Sequence, residues 1–321
     1  MLRAIAASAL VIAGCTPCAR SGQTQISDGS INALAADATA LYFATDDAIW
    51  RLGLGSTQPT RLASASYPLE ITVDGDHVIW AESRGDDAIM SVPTEGGAAA
   101  VIATSLNTPH GLAADGQTVY WSDGSGNVIS TAPETGGAGG EVAVVPPSDP
   151  GRSYIEPVAI AVDATTLYWM DWSFVTILAM AKTGGPATTP IQGPYGLPPA
   201  GESTSNNPRA FARVGGDLYW VNDSTSTGTG EVLRLSAGAG APSVLASAVA
   251  IGDGIAVDDS GVFWSGTTSI LHVDAAGTVT TAASDLLFVG RMIAAGGALY
   301  YIDGSARHDA CAGLWRIDGH E

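Results

Sequence analysis

Seven residues stand at one repeated position of the sequence, and they include the side chains best suited to bind a polar ligand. The position lies five places ahead of a recurring Asp, or of the residue that takes its place, at the end of a short apolar stretch. Three of the seven are charged and a fourth is His, although charged residues make up only 14% of the chain. In chain order they are Asn32, Leu69, His110, Val158, Arg209, Asp253 and Arg291. Carboxylates and guanidinium groups bind ligands by charge-assisted hydrogen bonds, and a His can also transfer protons near neutral pH.

Sequence motifs of known catalytic and metal sites are absent. The chain has no nucleophile elbow, zinc-protease motif, phosphate-binding loop or cysteine pair at metal-ligand spacing, and its five His residues are scattered. The nearest candidate for a cation loop, residues 123–127, has oxygen-bearing side chains at alternate places but lacks the later Glu of an EF-hand. A plain hairpin loop is the favoured interpretation there, so we expect no metal ion and no cofactor.

A repeat of about 43 residues predicts the elements that position these side chains. Pairs of large apolar residues recur seven times, and the second members of successive pairs are 37 to 51 residues apart, with a mean of 43. The pairs are Tyr42-Phe43, Ile79-Trp80, Tyr120-Trp121, Tyr168-Trp169, Tyr219-Trp220, Phe263-Trp264 and Tyr300-Tyr301. Propeller blades have this length, and most units read as four short strands with Asp-Gly or Gly-Gly turns. The sequence therefore predicts an all-β fold, a seven-bladed β-propeller of four-stranded antiparallel blades.

The last repeat reads as three strands only, and the chain reaches Glu321 soon after the third. Residues 24–27 have the length and the apolar position of a missing fourth strand, so we predict that an N-terminal strand completes the last blade. This pairing closes the ring and limits exposed strand edges. Neighbouring residues point to opposite faces of a strand, so each aromatic pair should pack into two blade interfaces.

The seven repeated residues begin the innermost strands of the predicted blades, so they should surround the mouth of the central channel. Glu70 lies next to them. The functional interpretation is a mixed-charge funnel that holds a polar ligand or a partner's side chain, formed by Asn32, Glu70, His110, Arg209, Asp253 and Arg291. The alternative is that these charged side chains have no binding role and occur at the strand starts because those positions are exposed to solvent. Two long connections add a predicted lip on one side of the funnel, with Arg152, Tyr154, Tyr195, Asn206 and Asn207.

The first residues of the chain resemble a bacterial export signal. A short basic start precedes residues 4–14, which are mostly apolar but too few to span a bilayer. Residues 11–15 are similar to a lipobox, which implies cleavage ahead of Cys15 and lipid attachment to it. We therefore predict a signal peptide at 1–14, a lipid-attached tether at 15–23 and the propeller at 24–321, exported to the cell membrane or outer membrane. The alternative is an ordinary secretory signal in which Cys15 stands by chance.

Charge and cysteine content limit the partners. The net charge of −19 argues against nucleic acid and anionic membrane surfaces, because both bind through Lys and Arg, so membrane contact is expected only through the lipid anchor. Export permits a disulfide, and Cys18 and Cys311 are the cysteines that remain. Spacing leaves this pairing open. The two residues precede neighbouring antiparallel strands, whose starts lie at opposite ends, so the tether would have to fold back.

The second strand of several repeats resembles the YWTD repeat of low-density-lipoprotein-receptor-type propellers. The segments that carry the resemblance are Tyr120-Trp121-Ser122-Asp123, Tyr168-Trp169-Met170-Asp171 and Tyr300-Tyr301-Ile302-Asp303. The first two match three of the four motif letters, and the third departs at the Trp. The resemblance implies a propeller that binds other molecules, with a structural role for the motif Asp. The chain departs from that family in blade number, since the receptor propellers have six blades, and NHL-type propellers are similar to it as well.

These features predict a monomeric envelope lipoprotein whose propeller binds a protein, peptide or glycan and catalyses no reaction. The alternative is a propeller-fold enzyme, such as a lyase, a hydrolase or a quinone-dependent dehydrogenase. In that case His110 would act as general acid or base beside Arg209, Asp253 and Arg291. A purely architectural lipoprotein is a third interpretation. Binding is favoured over catalysis because no cluster of nucleophile, base and metal ligands can be read from the spacing.

Overall fold

The computed structural model describes residues 20–83, 87–104, 106–122, 128–145, 157–171, 176–191, 206–224, 229–304 and 311–319. These residues form 28 β-strands and no helix. Blade 1 contains β2 (Ile31–Ala36), β3 (Ala40–Thr45), β4 (Ala48–Gly53) and β5 (Thr60–Ser64). Blade 2 contains β6 (Pro68–Asp74), β7 (His77–Glu82), β8 (Ala88–Pro93) and β9 (Ala100–Thr104). Blade 3 contains β10 (Leu112–Ala114), β11 (Thr118–Trp121), β12 (Val128–Pro133) and β13 (Gly140–Val145).

The remaining blades follow in chain order. Blade 4 contains β14 (Pro157–Val162), β15 (Thr166–Asp171) and β16 (Thr176–Ala181), and the short β17 (Gly185–Pro186) follows it. Blade 5 contains β18 (Asn206–Val214), β19 (Asp217–Ser224), β20 (Thr229–Leu235) and β21 (Ser243–Val249). Blade 6 contains β22 (Ile255–Asp258), β23 (Gly261–Ser265), β24 (Ile270–Asp274) and β25 (Val279–Ala283). Blade 7 contains β26 (Val289–Ala295), β27 (Ala298–Asp303), β28 (Gly313–Asp318) and β1 (Gln23–Asp28).

The seven blades form a closed ring. The first strand of each blade contacts the first strand of the next, and β26 of blade 7 contacts β2 of blade 1. The N-terminal strand β1 pairs antiparallel with β28, with Gln23 opposite Ile317 and Asp28 opposite Gly313. This confirms the seven-bladed β-propeller and the closure of its last blade by an N-terminal strand.

Blade 4 has an irregular outer edge. Thr188 forms an antiparallel bridge with Ala179 of β16 in the place of a fourth strand, and β17 pairs instead in parallel with β13 of blade 3. Pro186 lacks a backbone N–H, and Pro is confined to the edges of sheets for that reason. The segment after β16 therefore contacts both blade 3 and blade 4.

Large aromatic side chains form the core between blades. Trp80, Trp169, Trp220 and Trp264 are each at most 1% exposed. Tyr120 belongs to a cluster with Trp169 of blade 4, whereas its neighbour Trp121 packs with residues of blade 2. Adjacent aromatic residues therefore serve two blade interfaces, as predicted from strand geometry.

The acidic residue of the YWTD-like segments stabilises the blade. Asp171 is 1% exposed and accepts a hydrogen bond from Nε1 of Trp169 at 2.9 Å. Glu82 accepts the equivalent hydrogen bond from Trp80 at 2.8 Å. A carboxylate two residues after the Trp thus satisfies a buried indole N–H, which gives the motif position a structural role in these blades.

The described residues contain no helix with the length and apolarity needed to span a bilayer.

Candidate functional site

A β-bulge recurs at the start of the innermost strands, at the position of the predicted funnel residues. In four blades the ladder between the first and second strands skips one residue, namely Asn32, Leu69, Val158 or Arg209. In blade 7 it skips Gly290 and Arg291. In blade 6 Ser265 pairs with Gly252 and Gly254 on either side of Asp253. Bulges re-aim side chains, and at this repeated position Val158, Arg209, Asp253 and Arg291 line the channel cavity, whereas Asn32 and Leu69 do not.

The central channel contains a cavity of about 570 Å³. Four of the six predicted funnel residues line it, namely Glu70, Arg209, Asp253 and Arg291. Its walls are mostly apolar, with side chains such as Leu112, Ile160, Phe211, Ile255 and Met292. A volume of roughly 300–1,000 Å³, apolar walls and a few convergent polar groups are typical of small-molecule sites.

An ion pair crosses the channel mouth. Arg291 of blade 7 donates from Nη1 to Oε2 of Glu70 in blade 2 at 2.5 Å, and from Nη2 to Oε1 of the same carboxylate. Blade 1 lies between these two blades in the ring, so the pair spans its inner strand. The charge of Glu70 outweighs desolvation and raises the pKa of Arg291 above its usual value. The Arg291 side chain remains 44% exposed, so water and ligands in the channel can reach it.

Two further charged residues that line the cavity, Arg209 and Asp253, belong to blades 5 and 6. Arg209 donates from Nη2 to Asp223 of the neighbouring strand at 2.8 Å, and its Nη1 lies 3.7 Å from Oδ1 of Asp253 in blade 6. The hydrogen bond with Asp223 outweighs desolvation and raises the pKa of Arg209. Arg209 and Asp253 are 47% and 48% exposed, respectively. Both are therefore available to a ligand that enters the funnel.

Asn32 and His110 do not line the cavity. The Asn32 amide donates to Oδ1 of Asp46 at 3.3 Å. His110 is exposed, and its backbone N–H donates to the carbonyl oxygen of Ser122 at 2.9 Å. The structure thus brings four predicted funnel residues together around one cavity, and Asn32 and His110 are not part of its lining.

Several predicted positions lie outside the described residues. These are the signal peptide, Cys15, Cys18, the 123–127 loop, Arg152, Tyr154, Tyr195 and the side chains of Asn206 and Asn207. The described residues contain no group of three His, Cys, Asp or Glu side chains arranged to hold a metal ion.

Phe288 is a cavity-lining residue that the sequence analysis missed. It is 44% exposed, and its neighbour Leu287 is 48% exposed. The backbone N–H groups of both residues donate to Oδ1 of the buried Asp303, at 2.9 and 3.0 Å respectively. The apolar residues 286–289 lead into an inner strand, and such a run predicts buried core. The sequence pattern therefore did not indicate that Phe288 is exposed.

Asp, Tyr and cationic side chains link neighbouring blades at the opposite ends of the inner strands. Asp163 accepts a hydrogen bond from Tyr168 at 3.0 Å and pairs with Arg213 of blade 5 at 3.1 Å. Arg213 also lies over the Tyr168 ring, 5.4 Å from its centre. Burial would raise the pKa of Asp163, but hydrogen bonds from the backbone of Thr165 and Thr166 and from Tyr168 lower it. These contacts join blade 4 to blade 5, and Arg213 also lines the channel cavity.

Two carboxyl groups share one backbone donor near the same end of the molecule. Asp74 and Glu134 both accept the N–H of Gly116, Glu134 at 3.0 Å. Desolvation, followed by the charge of Asp74, raises the pKa of Glu134 to about 7. Glu134 therefore holds a proton over part of the physiological pH range.

Comparisons with known proteins identify the fold only. No protein-family model matches the chain, and no curated protein sequence matches it. The solved structure of YCF48 from Cyanidioschyzon merolae aligns with 93% of this chain and 99% of its own length, at a TM-score of 0.64 and 10% identity. A Mycobacterium tuberculosis puromycin-hydrolyzing peptidase aligns with 90% of this chain at a TM-score of 0.62 and 14% identity, and this chain spans about half (51%) of that one. The N-terminal domain of Nup159 aligns with 92% of this chain at a TM-score of 0.53 and 12% identity.

Proposed function

We propose that this chain is an exported lipoprotein of the cell envelope whose β-propeller binds a protein, peptide or glycan in its central funnel and catalyses no reaction. One observation carries the binding site: the innermost strands direct Glu70, Arg209, Asp253 and Arg291 at a single cavity of about 570 Å³. The charges are held by a rigid ring before any ligand arrives. Such preorganisation lowers the entropic cost of binding.

The funnel is better suited to binding than to acid–base chemistry. The enzyme alternative requires His110 to act beside Arg209, Asp253 and Arg291, and a general acid or base must reach the reacting group within hydrogen-bonding distance. His110 does not line the cavity that contains the other three residues. The arginines can pair with carboxylate, phosphate or carbonyl groups of a ligand, and Asp253 and Glu70 with amines or hydroxyl groups.

The proposed lipid anchor would keep the ring close to a membrane. Its support is the lipobox-like sequence that ends at Cys15. Arg20, five residues later, is held by blade 7 through an ion pair with Asp303. An extended chain spans at most about 3.5 Å per residue, so a lipid on Cys15 would lie within roughly 18 Å of the Arg20 backbone. Mass spectrometry of the purified protein tests this directly, and a Cys15→Ser variant should lose the acyl chains.

Thermal unfolding of the purified protein tests the binding site. The protein is screened against metals, glycans, peptides and envelope extracts, because a ligand that binds only the native state must raise its stability, by about 2.7 kcal/mol at a hundredfold excess over Kd. We expect a shift that is lost in Arg209→Ala or Arg291→Ala. Arg61→Ala, which changes an exposed arginine on an outer strand, is the matched control and should retain the shift. A shift that all three variants retain would place the ligand elsewhere.

A further inference from the structure

We propose that the funnel mouth has a specific subsite for an organic cation, formed by the Asp253 carboxylate and the Phe288 ring. The ligand class is an aliphatic ammonium or guanidinium group on an apolar stem, as in a Lys or Arg side chain of a polypeptide or in a free polyamine. The inference rests on the proposed function, because it names the ligand chemistry of the same funnel.

The charge balance at the mouth favours a cation. Arg291 is engaged by Glu70 through both of its terminal nitrogens. Arg209 is hydrogen-bonded to Asp223 at 2.8 Å, whereas Asp253 lies 3.7 Å from Arg209, beyond hydrogen-bonding distance. These five side chains carry three negative and two positive charges, so Asp253 supplies the excess negative charge of the group. The whole chain carries −19, which attracts cations from solution.

Packing between blades 6 and 7 brings the segment that carries Asp253 against the segment that carries Phe288. Asp253 immediately precedes Gly254, and a Cβ added to Gly254 would lie only 2.2 Å from the carbonyl oxygen of Gly290. Only glycine permits this approach, and it brings the bulge of blade 6 against the start of blade 7. Phe288 is two residues ahead of Gly290, and it lines the same cavity as Asp253.

The two side chains offer complementary contacts to one group. Asp253 is 48% exposed and Phe288 is 44% exposed, so both can be reached from the channel. A carboxylate accepts charge-assisted hydrogen bonds from ammonium and guanidinium groups, and an aromatic face attracts cations within about 6 Å. The apolar stem of such a ligand would pack against the apolar wall below, which includes Ile255 and Met292.

Titrations followed by NMR on the purified protein test the subsite with four probes. Ac-Gly-Lys-Gly-amide carries the cation on a peptide, and cadaverine carries it on a free amine. The same peptide with norleucine in place of Lys has the apolar stem without the charge. The same peptide with Glu in place of Lys reverses the charge. We expect the lysine peptide or cadaverine to bind about tenfold more tightly than the norleucine peptide, because one charge-assisted hydrogen bond is worth at least that factor.

Three variants distinguish a specific cation-binding subsite from general attraction by the net negative charge of the protein. Asp253→Asn should weaken cation binding about tenfold, and Phe288→Ala should weaken it as well. Asp259→Asn removes the same charge from the other end of the same inner strand and should have no effect. Equal losses in Asp253→Asn and Asp259→Asn would mean diffuse attraction by the net charge and would overturn the inference, as would the absence of binding by either cation.

The outcomes also distinguish this inference from the proposed function. Tighter binding of the Glu peptide would overturn the cation subsite while it supports the funnel as a binding site. Binding of cadaverine but not of the lysine peptide would support the subsite and assign it to free amines. A thermal shift from an envelope component that depends on Arg291 but not on Asp253 would leave the proposed function intact and overturn the subsite.

Discussion

The guanidinium of Arg20 is ion-paired with the carboxylate of Asp303, which is fully buried at the end of β27. The other oxygen of this carboxylate accepts the N–H groups of Leu287 and Phe288. Arg20 also donates to the Tyr301 hydroxyl at 3.1 Å and lies 4.2 Å above the Trp315 ring. The buried Asp303 carboxylate therefore connects Arg20, which precedes the closing strand β1, with residues 287–288 at the funnel mouth.

Loss of Arg20 should destabilise the ring strongly. Arg20→Met would leave the buried Asp303 carboxylate without its cation, and removing one partner of a buried ion pair costs about 3–5 kcal/mol. Urea unfolding of the purified protein measures the change in the free energy of unfolding. Arg61→Met is the control, because Arg61 and its partner Asp47 are both exposed, with a hydrogen bond to the Asp47 carbonyl oxygen at 3.2 Å and the carboxylate 3.9 Å away. This change should cost under about 1 kcal/mol. Similar losses in the two variants would contradict this account of ring closure.

Cys311 forms a disulfide bond, and we predict that Cys18 is its partner. Gln23 lies opposite Ile317, yet the chain turns back ahead of it, because Arg20 reaches Asp303 and stacks on Trp315. The Trp315 indole in turn donates to the carbonyl oxygen of Cys311 at 3.1 Å. A disulfide between Cys18 and Cys311 requires the chain to reverse its direction ahead of β1. That reversal is present at Arg20, two residues after Cys18.

Peptide mapping without reduction tests the pairing. We expect a cross-linked peptide that contains Cys18 and Cys311, and a loss of about 2–4 kcal/mol in Cys18→Ser or Cys311→Ser, with no further loss in the double variant. A cross-link from Cys15 to Cys311 would refute both the pairing and the lipid anchor. A full loss of stability in only one of the single variants would also contradict it.

The carboxyl pair of Asp74 and Glu134 should make stability depend on pH. Burial and Asp74 raise the pKa of Glu134 from 4.5 to about 7, so the native state retains a proton that the unfolded chain releases. The contribution is therefore fully present below pH 4.5, and the free energy of unfolding should fall as pH rises toward 7. Glu134→Gln should flatten this decline. Glu95→Gln, at an exposed position, should follow the wild-type curve, and parallel curves for all three proteins would exclude the pair as the cause.

The sequence was sufficient to predict the blades because their signal is periodic. The pairs of large apolar residues repeat every 43 residues on average, and each blade interface contains a buried Trp or Tyr side chain from these pairs. The closing strand was predictable for the same reason, since the last repeat lacked one element. The Arg291–Glu70 pair was not predictable as a contact, because it joins residues 221 positions apart across blade 1. Its geometry depends on the angle between blades and on the inner-strand bulges, which a sequence pattern does not encode.

The most direct test of the funnel as the binding site is a charge swap of its cross-channel pair. Glu70→Arg/Arg291→Glu keeps one ion pair between blades 2 and 7 but reverses its direction, so the free energy of unfolding should stay within about 1 kcal/mol of wild type. The measurement is the unfolding midpoint of both proteins, alone and with each member of the ligand panel. We predict that at least one ligand raises the wild-type midpoint and leaves that of the swapped protein unchanged. An equal shift in both proteins, or no shift by any ligand in the wild type, would contradict the proposal that this funnel is a binding site.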